Sequence, residues 1–342
     1  MKCLVTGGSG YFGVLLRDQL RRTSRDVRVL DLNESEDRPA DVEWMRADIR
    51  DYSRVREACQ EMDVAFHCVA QVPLAKDKSL FESVNIGGTE NLLRAAREAK
   101  LKKVVYVSSS AVYGVPRANP VTEETEPTPA EAYGRAKLAG ETLSRKFANE
   151  GLDVSIIRPR TIMGHGRLGI FQILFEWVRE GFNIPVLGEG DNVYQFVHAD
   201  DLADACLRAA DRPGPATYNC GAAEFGTMRQ TLEALCAHAG TGSRVRRVPL
   251  KLATMGMTLT SALGLSPLGP YHALMYGRSL YFDIRKARTE LDWQPRYSNV
   301  QMFRESYDWY LRHREAVLQE RGASHHRSAI KQGVLGLVKW LL

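Results

Sequence analysis

The chain has no Cys-x-x-Cys pair and no Cys/His cluster: Cys3, Cys59, Cys68, Cys206, Cys220 and Cys236 are scattered singly. That excludes a zinc finger or ribbon and a disulfide framework, and it predicts reduced, buried thiols in a cytoplasmic protein with no resident metal. No run is long and apolar enough to be read as a transmembrane helix. No signal peptide is expected, because Lys2 to Val5 already reads as a strand. Internal repeats and low-complexity tracts are missing too. So is a basic patch: Lys and Arg are interleaved with Asp and Glu along the chain, for a net charge of only +5. Solvated surface, with no nucleic-acid partner, is the expectation. The stretch 252–277 has no Asp, Glu, Lys or Arg at all. Pro267 and Pro270 interrupt it, so it reads as packing in a second domain or as the roof of an apolar cavity.

What is present suits a globular protein able to bury a large core: 342 residues, 44% hydrophobic and 25% charged. Short apolar runs alternate with amphipathic stretches through residues 1–150. Strands are predicted at Lys2–Thr6, Asp26–Asp31, Trp44–Arg46, Val64–Cys68, Lys103–Ser108 and Val154–Arg158. Helices are predicted at Gly13–Arg22, Tyr52–Cys59, Ile86–Ala99 and Ala132–Ala148, the last closed by Gly151. Such alternation predicts an α/β fold, a parallel sheet covered on both faces. Past Arg158 the pattern loosens, with helices at Asp200–Asp211 and Met228–Ala239. The domain reading is 1–160 for the first unit, with 191–220 returning to it, 161–320 for a smaller second unit, and 321–342 for a tail.

After the first strand come Gly7, Gly10 and Gly13, spaced G-x-x-G-x-x-G, with Tyr11 and Phe12 opening the helix. Such glycines make a tight turn, let backbone N–H groups approach a phosphate and let the helix lie close to the sheet. The helix N-terminus adds partial positive charge. Following a strand and opening a helix, the pattern predicts a dinucleotide site. Asp31 ends the second strand and can accept both adenosine-ribose hydroxyls while repelling a 2′-phosphate, which favours NAD over NADP. Arg28 and Arg38 lie nearby in sequence and keep NADP open. Asp48-Ile49 follows the third strand, where a carboxylate can meet the adenine amino group.

Tyr133 and Lys137 are four residues apart on one helical face. A phenol with a pKa near 10 is a poor base at neutral pH. An ammonium about 4 Å away, at an effective dielectric near 20, favours the phenolate by about 4 kcal/mol, roughly three pKa units. Tyr133 can then take a proton during alcohol oxidation and return it during ketone reduction. Ser108, Ser109 and Ser110 end a strand, where a hydroxyl can hold the reacting oxygen.

Together these pieces resemble an extended short-chain dehydrogenase/reductase of the NAD-dependent epimerase/dehydratase group. The resemblance spans roughly residues 1–312. It includes Val84-Asn85-Ile86-Gly87-Gly88-Thr89, Ser108-Ser109-Ser110-Ala111-Val112-Tyr113-Gly114, Tyr133-Gly134-Arg135-Ala136-Lys137 and Arg158-Pro159. It continues in Phe196-Val197-His198-Ala199-Asp200-Asp201, Asp283-Ile284-Arg285-Lys286-Ala287 and Leu291-Asp292-Trp293-Gln294-Pro295. It implies a Rossmann-type doubly wound parallel sheet with a smaller α/β substrate domain on the C-terminal side. It also implies catalysis by Ser109, with Ser110 as alternate, together with Tyr133 and Lys137. The implied cofactor lining adds Ala70, Asn85, Ser108, Pro159 and Thr161 to the glycine turn, Asp31, Asp48 and Ile49. Ser110, Arg160 and Gln195 are the implied substrate contacts, and a homodimer through the Tyr133 helix is the implied assembly.

The departures narrow the activity. Ser110 and Ala111 stand where sugar dehydratases carry Asp-Glu, so water loss is not expected. Thr161 replaces an Asn, and Tyr194-Gln195 stands where nucleotide-sugar members carry the Arg that holds a diphosphate. Arg160, His165 and Arg167 can supply charge instead. The expected activity is epimerisation or oxidoreduction at a secondary hydroxyl of a sugar or nucleotide-sugar. The alternative resembles 3β-hydroxysteroid dehydrogenases acting on an apolar alcohol, and a cofactor-binding scaffold without turnover is a third. Residues 330–342 place Ile330, Val334, Leu337, Val338 and Leu341 on one face of a helix too short to span a bilayer. That tail either touches a membrane surface peripherally, covers a neighbouring subunit or docks on its own domain.

Overall fold

The structure, a computed structural model, describes residues 1–71, 80–166, 170–262, 276–319 and Lys339. Arg167, much of the uncharged 252–277 stretch and nearly all of the amphipathic tail lie outside those residues. Lys339 itself is paired with Glu180 at 2.6 Å and sits 4.4 Å from the Phe182 ring centre. Among the described residues, no helix is long and apolar enough to cross a membrane.

Seven parallel strands form the central sheet: β1 (Lys2–Thr6), β2 (Asp26–Asp31), β3 (Glu43–Arg46), β4 (Val64–His67), β5 (Lys103–Val107), β6 (Val154–Pro159) and β11 (Ala216–Cys220). Their order across the sheet is β11-β6-β5-β4-β1-β2-β3. Both faces are covered, so the strands read as near-continuous apolar runs. Alternate residues still divide between two cores. Cys3, Val5, Val105 and Val107 face α1 (Tyr11–Arg22) and α6 (Ala199–Asp211). Leu4, Val104 and Tyr106 face α2 (Tyr52–Ala58), α3 (Gly88–Glu98) and α4 (Ala132–Asn149).

The first six strands lie where the sequence places them, within a residue or two at their ends. The helix expected at Ile86–Ala99 differs. It opens as a wider π-wound turn over Phe81–Gly87 before tightening into α3. That turn carries Phe81 to within 6.3 Å of the Tyr133 ring, edge-on.

Smaller two-stranded pairings lie beyond β6. β7 (Thr161–Met163) pairs with β10 (Phe196–His198), β9 (Val193–Tyr194) with β12 (Gly226–Thr227), and β8 (Ile184–Leu187) with β13 (Val245–Val248). With α5 (Phe171–Arg179), α7 (Met228–Ala239) and the long C-terminal helix Asn299–Gln319 they enclose a third core. It is rich in aromatics, including Phe171, Phe175, Trp177, Phe196, Phe303 and Tyr310.

Strand order reverses between β1 and β4, and there the chain leaving β1 meets the chain leaving β4. A Cβ on Gly7 would come within 2.8 Å of the Val69 nitrogen. Such a crevice at the carboxyl ends of the strands is where sheets of this kind bind ligands. Helix α4 runs alongside it. Glu131 caps α4 by accepting from Tyr133 N and Gly134 N. The chain leaves it through Gly151 at φ +97°, with Leu152 N donating to Phe147 O. Gly134 and Gly140 let the helix lie close, because a Cβ at Gly140 would fall 2.2 Å from the Tyr106 hydroxyl. Gly140→Ala gains about 1 kcal/mol of helix propensity but overpacks that contact at a cost of about 1–3 kcal/mol. Chemical denaturation is expected to show a net loss, and a smaller one in a Tyr106→Phe background.

Candidate active site

The glycine turn is held by Gly7 N donating to Leu30 O and by Gly10 N donating to Gly7 O. Gly7 sits at φ +73°, and a Cβ on Gly13 would lie 2.1 Å from Gly7 O. No larger residue fits at Gly13 without unmaking the turn. Tyr11 and Phe12 occupy the first turn of α1, whose opening N–H groups have no acceptor within the helix. The Tyr11 hydroxyl donates to His165 O, fixing the turn to the loop after β7. Asp31 accepts from Ser9 N and Asn33 N, and burial raises its pKa above the usual carboxylate value. A carboxylate has further lone pairs beyond these two bonds. These residues fit a dinucleotide, with donors for a pyrophosphate and a carboxylate for a ribose diol.

The two arginines that kept NADP open are committed elsewhere. Arg28 pairs with Glu43 at 2.8 Å, and Arg38 pairs with Glu34 and donates to Val42 O. Asp48 is gripped by Arg50, which holds its pKa below the usual value. Ile49 is buried against Gly88. Asn85 does not point outward. Its amide accepts from Gln71 N and donates to Gln71 O, clamping the chain just past Ala70.

Lys137 is 3% exposed, and its ammonium donates to Val107 O at 2.8 Å at the end of β5. It lies 5.1 Å from the Tyr106 ring centre. Burial, only partly offset by Cys68 and Glu141, pulls its pKa down to about 8. The ammonium expected beside Tyr133 is thus itself poised near the working pH. Tyr133 is half-buried one helical turn away. Ser109, two residues past Val107, accepts from Ala111 N and caps a short turn at Ser110–Tyr113. That bond occupies a lone pair, so its hydroxyl hydrogen remains available to a reacting oxygen.

Ser108 has a different task. Its hydroxyl donates to Glu141 Oε1 at 2.7 Å, and Arg158 grips the same carboxylate from Nε at 2.8 Å and Nη2 at 2.6 Å. Arg158 also donates to the Tyr113 hydroxyl. This fully buried cluster ties α4, one turn past Lys137, to β5 and β6. Losing one partner of such a pair typically costs about 3–5 kcal/mol. Glu141 was not singled out from sequence, although it sits four residues beyond Lys137 on the same face. His67 was missed too. Thr89 Oγ1 donates to Asn85 O and therefore accepts from His67 Nε2, while His67 Nδ1 accepts from Thr6 Oγ1. Burial depresses the His67 pKa to about 3, so the ring is a neutral strut beneath the crevice.

Across the crevice, Pro159 ends β6 and Arg160 is 1% exposed with Nη1 donating to Ser110 Oγ at 2.9 Å. Thr161 shares a hydrogen bond with the Tyr194 hydroxyl. Gln195 is wholly buried and both ends of its amide are engaged, donating to Ala222 O and accepting from Phe282 N. His165, His198 and Glu305 bring three potential ligand atoms within 4.8 Å of one another. Hydrogen bonding already orders them. His198 Nδ1 accepts from Asp200 N, so its Nε2 carries the hydrogen given to Glu305 at 2.8 Å. A metal on Nε2 would need the opposite tautomer and would set an N–H against Asp200 N.

The Lys137 value fixes a pH dependence. Its charge is present below about 8 and lost above it. If the ammonium stabilises the Tyr133 phenolate, turnover falls tenfold per pH unit well above that point. A profile flat to pH 10 would contradict the role.

Comparisons with known proteins give the family. The model of the NAD dependent epimerase/dehydratase family matches residues 3–221. An uncharacterized protein of Sinorhizobium fredii is 55% identical over 340 residues, covering 99% of this chain and 86% of that one. The UDP-glucose 4-epimerase of Mycolicibacterium smegmatis is 31% identical over 317 residues, 86% of this chain and 94% of its own. The solved Thermus thermophilus UDP-glucose 4-epimerase in complex with NAD has a TM-score of 0.74 at 26% identity, over 91% of this chain and 99% of that one. The glycine turn, the buried Lys137 and the seven-stranded sheet thus stand in a chain that belongs to the NAD dependent epimerase/dehydratase family.

Proposed function

We propose that the protein is an NAD-dependent enzyme that moves a hydride at a secondary hydroxyl or ketone carbon of a sugar-type substrate. One observation carries the reading. A buried ammonium is anchored to the end of β5, one turn from Tyr133 and two residues from Ser109, beside a crevice whose glycine turn fits a pyrophosphate. The family and its nucleotide-sugar epimerases support it. We take residues 1–160 with 191–220 as the cofactor unit and 161–320 as the substrate unit.

NAD, when bound, supplies the hydride acceptor and donor. The first turn of α1 would hold its pyrophosphate and Asp31 its ribose diol. Ser109 gives its hydroxyl hydrogen to the reacting oxygen and orients it. Tyr133 takes the proton from that oxygen as the ketone forms and gives it back as the alcohol re-forms. Lys137 holds the phenolate by charge, and Val107 O holds Lys137. Ser108 is spent on Glu141, so any cofactor contact it makes comes from its backbone. Residues of α4, β5 and β6 exclude water from beneath the reacting pair.

A second reading, oxidation of an apolar alcohol, is favoured by Tyr194 and Gln195. They are buried and bonded internally where a diphosphate-binding Arg would be needed. Stoichiometry separates the two: an epimerase retains NAD and accumulates no NADH, while a dehydrogenase releases NADH with product. In either case Tyr133→Phe is expected to lower kcat by about 10²–10⁴ with NAD binding retained. Turnover within about tenfold of the parent would remove Tyr133 from the chemistry.

A further inference from the structure

Two arginines stand on either side of Pro159, both 1% exposed. Arg158 shows what this chain does with a structural guanidinium. The edge formed by its Nε and Nη2 is taken by both oxygens of Glu141. The same edge of Arg160 has no acceptor: Nε and Nη2 are buried and unbonded, while Nη1 donates to Ser110 Oγ. No carboxylate among the described residues pairs with it. Its flat faces lie against aromatic rings, 4.6 Å from the Tyr194 centre and 5.5 Å from that of Phe282.

A guanidinium cannot lose its charge by deprotonation in a protein. Burying it unpaired is costly, and the rings recover only part of that cost. Nε–H and Nη2–H point in one direction, the geometry that meets the two oxygens of a carboxylate in parallel bonds. Ser110 and the two rings fix where that edge points.

We propose that Arg160 receives a carboxylate of the substrate side-on, and that the substrate is a hydroxy acid. The assignment rests on the hydride-transfer reading above and narrows its substrate class. Neither nitrogen is open to solvent. A neutral ester or alcohol in the same place leaves the edge unmatched.

The test uses the NAD-loaded full chain and matched probes: UDP-glucuronic acid with UDP-glucose, and a 3β-hydroxysteroid 4-carboxylic acid with its methyl ester. Binding is read from ligand-dependent thermal shifts, which need no turnover, so failure here is distinct from failure of hydride transfer. In at least one pair the acid is expected to bind about tenfold or more tightly than its neutral partner, as a charge-assisted bond implies. Arg160→Gln abolishes that preference with NAD binding intact. Arg160→Lys recovers only part of it, because a point charge lacks the fork. Ser110→Ala keeps the charge but frees the edge, and lowers the preference a few-fold. Equal binding within both pairs overturns the proposal, as does a preference that survives Arg160→Gln. A phosphate monoester of either frame binding as tightly as the acid overturns the choice of carboxylate. Should Arg160→Gln fail to bind NAD, Ser110→Ala decides: an unchanged preference there overturns the proposal.

Discussion

The hydrogen bond from the Lys137 ammonium to Val107 O is the constraint on which the rest of the site depends. It places a cation in the interior, at the edge of the sheet, where the cost of burial pulls the lysine pKa to about 8. The surrounding structure serves to keep it there. Glu141, one turn further along α4, is clamped by Arg158 and Ser108, so the helix cannot rotate away from β5 and β6. Gly134 and Gly140 bring its axis close enough for the lysine to reach Val107. His67, neutral and bonded to Thr6 and Thr89, adds no competing charge beneath.

Burying this ammonium is a liability to the fold. A lysine with a lowered pKa in the folded state binds fewer protons there than in the unfolded chain between about 8 and its ordinary value of 10.5. Stability from this group therefore rises with pH through that window, and below it the full burial cost is borne. In the proposed mechanism activity and stability are opposed at Lys137: the protonated form that would serve Tyr133 is the form the fold disfavours. Such opposition is common at functional sites, where local consistency yields to chemistry.

Much of this was legible in the chain. Alternating apolar runs gave the central strands because both faces of the sheet are covered, and the glycine spacing located the turn because no Cβ fits at Gly13. Tyr133 and Lys137 stood out because four residues separate them on one helical face, and Ser109 through its place before Val112-Tyr113-Gly114. What was not legible depends on contacts between distant segments. Nothing in Glu141 distinguishes it from a surface carboxylate until β6 brings Arg158 to it. Asn85 and Gln195 look like ligand-binding amides, yet both are spent on backbone groups that only the fold supplies. The contrast between Arg158 and Arg160 is likewise invisible in sequence, since it lies in which guanidinium meets an acid.

The most direct test of the account is a ¹⁵N titration of the Lys137 side chain in the folded protein. The buried ammonium bound to Val107 O is expected to titrate at about 8, well below a solvated lysine. A midpoint at the ordinary value near 10.5 would show the ammonium to be hydrated, and would remove the buried charge on which the proposed chemistry at Tyr133 rests.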